Sequence, residues 1–246
     1  MTLEALIFDV DGTLADTEEA HRCSFNAAFE RHRLGWEWSR EQYRELLQVN
    51  GGKERIRAYI ALLDVDATER RRLLELTPVL HAEKTRWYTA IVRDGAVPLR
   101  EGVTQLIDNA LHAGLHLGIA TTTTAANIDA LLSATLGESG AEKFDVIAAG
   151  DVVAAKKPAP DIYQLALRTL GVEPERAIAF EDSFNGLASA VDAGLWTVVT
   201  PTYWTEHHDF AGAGWLRPSL AALTLDELMT RHHVAGTTTT PNRLSR

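Results

Sequence analysis

Asp9 and Asp11 stand just after a short apolar run at residues 3–8, and Glu181 and Asp182 just after another at 177–180. A row of hydroxyls, Thr121 to Thr124, closes a third run at 115–121. Lys156-Lys157-Pro158-Ala159-Pro160-Asp161 follows a fourth at 144–149. Four carboxylates gathered in one place repel one another strongly unless a cation sits among them. Oxygen ligands without His or Cys select a hard cation, and Mg2+ suits a site that also takes phosphate. An anionic group would then meet the cation, Lys157 and backbone amides rather than bare acid. Of the pair Asp9 and Asp11, one carboxylate can attack phosphorus while the other protonates the leaving oxygen and later activates water. Gly12 lets the chain turn sharply behind them. Taken alone, Asp-x-Asp-Gly also describes a strand-end turn or a calcium loop. The whole set in order, each member after an apolar run, favours chemistry.

These groups need a scaffold that brings run ends together. Between the later runs, Leu106, Ile107, Ala110 and Leu111 share one helical face, as do Ile128, Leu131 and Leu132, and again Ile162, Leu165, Ala166 and Leu170. With a fifth run at 195–200, strands alternating with helices predict right-handed βαβ units and an α/β fold with a Rossmann-like parallel sheet. Such sheets bind ligands at the carboxyl ends of their strands. Residues 15–94 break the alternation, with helical stretches expected near 17–34, 39–49, 53–63 and 67–93. The expected organisation is a core of residues 1–14 and 97–232, a small inserted helical cap at 15–96, and a disordered tail at 233–246 rich in Thr.

The chain holds 24 Lys and Arg against 34 Asp and Glu, a formal net charge of −10. Residues 15–95 contain 14 of each sign, so the negative excess lies wholly outside the cap. That balance argues against nucleic acid as a partner, and Arg70-Arg71-Arg72 reads as a solvated helix face. A single cysteine, Cys23, excludes an internal disulfide and a thiolate zinc site and is expected as buried filler. No apolar stretch long enough for a membrane span occurs, and the first residues lack the pattern of a signal peptide. The expected setting is a monomer in the cytoplasm, or in the plastid stroma where a transit peptide has been removed. The pairs His207-His208 and His232-His233 are expected at the surface, and Trp36 and Trp38 in packing.

Phe8-Asp9-Val10-Asp11-Gly12-Thr13-Leu14, Thr121, Lys157-Pro158-Ala159-Pro160-Asp161 and Glu181-Asp182-Ser183 resemble the four motifs of the haloacid dehalogenase superfamily. The resemblance covers roughly residues 3–228. It implies that Asp9 is the nucleophile, Asp11 the acid and base, and Thr121 the ligand of the transferring phosphoryl group, with Thr122 an alternative register. It implies that Lys157 stabilises charge on nucleophile and phosphate. Asp182 would hold Mg2+ with Asp9 and the backbone carbonyl of Asp11, with Glu181 nearby.

Because such chemistry is widely shared, specificity must come from the cap. Its candidate readers are Glu18, His21, Tyr43, the turn Gly51-Gly52-Lys53-Glu54-Arg55, and Lys84. Glycines before a helix carrying Lys53 and Arg55 suit an anion. These residues, with Ala148-Ala149-Gly150-Asp151, are similar to the CbbY-type branch. That branch implies a phosphatase of xylulose 1,5-bisphosphate, an inhibitor of Rubisco in carbon fixation. One phosphate would lie at Asp9 and the other under Lys53, Arg55 and Lys84. A β-phosphoglucomutase and a phosphoglycolate phosphatase are the alternatives. A phospho-receiver signalling domain is disfavoured, because receivers carry the nucleophile on a later strand.

Overall fold

The computed structural model describes residues 2–238. Six strands, β1 (Ala5–Phe8), β2 (His116–Thr121), β3 (Val146–Ala149), β4 (Ala177–Glu181), β5 (Trp196–Val199) and β6 (Trp215–Leu216), form one parallel sheet in the order β3-β2-β1-β4-β5-β6. The expected α/β parallel sheet is therefore present. Nine helices accompany it among the described residues: α1 (Glu18–Arg31), α2 (Arg40–Leu46), α3 (Gly52–Leu62), α4 (Ala67–Arg93), α5 (Val103–His112), α6 (Ala125–Leu136), α7 (Asp161–Leu170), α8 (Phe184–Asp192) and α9 (Leu225–Thr238).

Strand alternation divides the core in two. Leu6, Phe8, Leu117, Ile119, Ile178 and Phe180 pack on one face, with α5 and α6. Ala5, Ile7, Ala120, Ala177 and Ala179 pack on the other, against Ile162, Tyr163 and Ala166 of α7. Both faces are buried, which is why the strands read as continuous apolar runs rather than alternating ones. Small residues on the second face let α7 lie close. The edge strand β6, only two residues long, was not among the expected strands, since so short a run carries no periodicity.

Helices α1 to α4 bury a cluster of their own, built on Phe25, Phe29, Trp38, Tyr43, Ile56, Ile60, Leu73 and Leu80. Trp36 and Trp38 are packing residues there, as expected. The long α4 belongs to both halves: Leu73 and Leu80 face the cap cluster, whereas Tyr88 and Val92 join the sheet's core. Arg70 is not merely solvated, because it donates to the carbonyls of Ile60 and Leu63 at 2.6 and 2.7 Å and so closes the end of α3. Cys23 is exposed rather than buried. The buried stripe of α1 runs through Ala20, His21, Ser24, Phe25, Ala28 and Phe29, which leaves position 23 on the outer face. The tail expected from residue 233 begins as helix, since α9 continues to Thr238, and residues 239–246 lie outside the described ones. Among the described residues no helix is long and apolar enough to cross a membrane.

Candidate active site

Sheet register gathers the acids. Phe8 pairs with Ile119 on one side and Phe180 on the other, so the next residue, Asp9, emerges beside Glu181. The Asp9 amide donates to the Phe180 carbonyl at 3.0 Å. Lys157, in the loop after β3, donates to Asp9 Oδ1 at 2.7 Å and to Glu181 Oε1 at 2.6 Å. Tyr163 on α7 donates to the same Glu181 oxygen at 2.6 Å. Gly12 has φ +82°, and any Cβ there would overlap the Asp182 carboxylate. Only glycine lets the 9–13 loop lie against Asp182.

Asp9, Glu181 and Asp182 are buried, and each offers one carboxylate oxygen within 4.8 Å of the others'. Burial raises the Asp9 carboxyl to about 7, with Glu181 and Asp11 adding to the rise and Lys157 opposing it. Burial, Asp9 and Glu181 push Asp182 well above the usual carboxylate range. One lysine does not balance three buried acids, and the set is all oxygen. Those are the conditions a divalent hard cation meets, so the residues fit Mg2+.

Asp11 points elsewhere. Its Oδ1 accepts from Thr17 Oγ1 at 2.6 Å and meets His21 Nε2 at 3.0 Å. Thr17 and His21 are four residues apart at the start of α1, so both reach one carboxylate. Its carboxylate is thus outside the acid cluster of Asp9, Glu181 and Asp182. Burial opposes charge on Asp11, but His21, Thr17 and Lys84 hold it below the ordinary range. Lys84 Nζ lies 2.7 Å from His21 Nδ1. A charged Lys84 donates there, which leaves the His21 proton on Nε2, facing Asp11. Burial, followed by Lys84, lowers the His21 imidazole, with Asp11 opposing. Tyr88, one turn beyond Lys84, stacks on His21 with ring centroids 4.0 Å apart.

A cavity opens between these groups and the cap, lined by Asp9, Asp11, Glu18, His21, Gly51, Gly52, Arg55, Lys84, Thr121, Thr122, Lys157 and Asp182. Two expected cap readers stand apart from it. Lys53 turns away and pairs with Asp151 at 2.7 Å. Tyr43 is fully buried behind the wall, where its hydroxyl donates to Glu18 at 2.7 Å and accepts from Arg55 at 2.9 Å. Glu181 sits beneath the cavity floor rather than in its lining.

A model of haloacid dehalogenase-like hydrolases matches residues 6–200. The chain belongs to the haloacid dehalogenase-like hydrolases. It is an enzyme, a hydrolase of phosphate esters. It is 50% identical over 222 residues to protein CbbY of Rhodobacter capsulatus, covering 90% of this chain and 96% of that one. Protein CbbY of Cereibacter sphaeroides is 49% identical over 221 residues, 90% of this chain and 94% of that one. A crystal structure of CbbY from Rhodobacter sphaeroides in complex with phosphate matches with TM-score 0.83 and 48% identity, over 90% of this chain and 96% of that one. A variant of that protein, crystallised with xylulose-(1,5)bisphosphate, matches equally well. A β-phosphoglucomutase from Clostridium difficile, 21% identical at TM-score 0.74, shares the fold.

Lining residues outside every sequence motif complete the cavity wall. Asn127, His81, Asn50, Asn185 and His208 all border the cavity. Asn127 is buried, and its Oδ1 has no hydrogen-bond partner. His208 is not a plain surface residue, since its Nδ1 accepts from the Phe184 amide at 3.2 Å. Nor is His232, which packs edge-on against Trp196. The one available signal was Asn127's place in the first turn of a helix directly after the hydroxyl row. Asn50 and His208 arrive from loops, and His81 and Asn185 from helices α4 and α8.

Proposed function

We propose that this hydrolase is a Mg2+-dependent phosphatase of a sugar bisphosphate, xylulose 1,5-bisphosphate first among them, working through an aspartyl-phosphate on Asp9. The observation that carries this reading is the opposed charge of the cavity's two ends. Acids lie at the core end, and Arg55 and Lys84, both buried, lie at the cap end. Three of Arg55's five N–H groups serve Leu46, Val49 and Tyr43, so two remain for an anion. The CbbY relative bound to xylulose-(1,5)bisphosphate supports the choice of sugar.

Asp9, Asp182 and the Asp11 carbonyl would hold Mg2+, with Glu181 behind them, and the ion would neutralise phosphate charge. Lys157, fixed between Asp9 and Glu181, orients the Asp9 carboxylate and stabilises charge on the incoming phosphoryl oxygens. Thr121 ends β2 at the cavity wall, placed to donate its hydroxyl to the same group. Asp9 attacks phosphorus, and the bond to the sugar oxygen breaks as Asp11 supplies a proton to it. A phosphate dianion beside Asp11 raises its affinity for that proton. Asp11, then anionic, takes a proton from water as the water attacks the aspartyl-phosphate, and inorganic phosphate leaves.

The test is a phosphate-release screen over sugar mono- and bisphosphates, with and without Mg2+. Fastest Mg2+-dependent release from a five-carbon bisphosphate is the expected outcome. Net conversion of glucose 1-phosphate to glucose 6-phosphate, given a trace of the 1,6-bisphosphate, would establish the mutase instead.

A further inference from the structure

The cap's aromatic cluster contains one residue that the helical insertion does not supply. Trp204, in the loop after β5, is buried at 1% exposure among the cap residues. Its ring meets Tyr43 edge-on at 5.6 Å, and the Arg40 guanidinium of α2 lies 5.2 Å from it. Neighbours in the same loop also hold α2. Arg44 donates to His207 Nδ1 at 2.9 Å and pairs with Glu206 at 3.4 Å, and its guanidinium covers the Tyr203 ring at 4.9 Å.

The next residue faces the opposite way. Thr205 is buried, and its hydroxyl donates to Asp182 Oδ2 at 3.2 Å while accepting from the Thr202 amide at 3.0 Å. The Trp204 amide in turn donates to Thr202 Oγ1 at 3.2 Å. Two adjacent residues therefore tie the cap's interior to a carboxylate of the acid cluster. Asp9 lines a cavity walled by both halves. Were the cap to part from the core, Trp204 would lose its seat, and the loop the packing that sets Thr205.

We propose that the core-borne loop 201–208 links seating of the cap to the geometry of Asp182, with Trp204 as the docked anchor and Thr205 as the positioning residue of the carboxylate. The proposal rests on reading Asp182 as a Mg2+ ligand. Cap seating and Mg2+ binding then favour each other, because coupling between two binding events is reciprocal.

The experiment is calorimetric titration of Mg2+ into the substrate-free chain, with a melting curve for each variant. Thr205→Val keeps the shape and removes the hydroxyl; it is expected to weaken Mg2+ binding about tenfold, the scale of losing a hydrogen-bond partner of a metal ligand. Thr205→Ser restores most of that affinity. Trp204→Leu, with Thr205 intact, is expected to give a similar weakening. The double variant is expected to be no worse than either single one, because both act on one contact. Trp204→Phe takes the place of the leucine variant if that one does not fold. Mg2+ bound equally by wild type and folded variants overturns the proposal alone, as do losses that simply multiply in the double variant. A wild-type chain that binds no Mg2+ overturns the metal reading, and the proposal with it.

Discussion

At the core end of the cavity, Asp9, Glu181 and Asp182 crowd around Lys157, and Asp11 stands beside them; at the cap end, Arg55 and Lys84 share the neighbourhood of Glu18. Each end buries a surplus of one sign, and the signs are opposite. Uncompensated buried charge costs several kcal/mol, so neither surplus is there for the fold's sake. The core end is made by strand termini, where register fixes positions to within a residue. The cap end is made by helices, which hold Arg55 and Lys84 through Tyr43 and His21 rather than through backbone ladders. The difference assigns the two ends different tasks. A rigid acid cluster suits bond making, and a cationic pocket on a separable cap suits selecting what is held.

Asp9→Asn tests the first task and carries the largest expected effect. An amide keeps the size but not the nucleophile, so Mg2+-dependent phosphate release is expected to fall by about 10^4-fold or more. The loss is expected on every substrate, bisphosphate or not, in steady-state assays. A variant still turning over aryl phosphate at a tenth of the wild-type rate would move the chemistry away from β1.

Arg55→Ala tests the second task. Here the loss is expected to depend on the substrate: KM for a sugar bisphosphate rises about 10- to 100-fold, the worth of a charged hydrogen-bond pair, while that for a small aryl phosphate changes little. The melting temperature is expected to fall as well, because the carbonyls of Leu46 and Val49 lose a donor. Equal losses on both substrates would erase the distinction between the two ends.

Those two ends differed in how far they could be read from sequence. Asp9, Lys157 and Asp182 each follow a run that became a strand, Thr121 ends one, and a parallel sheet leaves its strand ends nowhere else to go. Helical periodicity likewise located α1 to α4 to within a few residues. What escaped depends on contacts far apart in sequence. Lys53 has the composition of an anion ligand, yet its partner is Asp151, which no local pattern connects to it. Tyr43 reads as a ligand of the substrate, yet its hydroxyl is taken up by Glu18 of α1 and Arg55 of α3. Trp204 sits in a loop of the core with no motif around it, although its burial is in the cap.

The pH dependence sharpens the comparison by a smaller amount. Burial, with Arg55 adding, lowers the Lys84 ammonium to about 8. Below that pH Lys84 is charged and can receive the distal phosphate; above it the charge is lost, since the folded-state value is depressed. For the bisphosphate, kcat/KM is therefore expected to fall several-fold as pH rises through 8. The aryl phosphate, which does not reach the cap, is expected to lack that limb. Profiles of both substrates between pH 6 and 9.5 make the check, and a shared limb would place the titrating group at the core end.

Lys53→Met carries the smallest expected effect, and it separates a cap cation inside the cavity from one outside. Lys53 is a third exposed and Asp151 more than half exposed, at 34% and 59% of their side-chain surfaces. Lys156 also reaches Asp151, at 2.8 Å, and Glu54 at 3.0 Å. The aspartate therefore keeps a cationic partner when Lys53 is removed. Solvent screens such a pair, so the expected cost in stability is under about 1 kcal/mol. Bisphosphate KM is expected to stay within about twofold of wild type, since an exposed pair outside the cavity is worth so little. A rise in KM comparable to that of Arg55→Ala would mean that Lys53 leaves Asp151 and swings inward once the distal phosphate arrives. Melting curves and bisphosphate kinetics on the one variant distinguish a latch between cap and core from a ligand of the substrate.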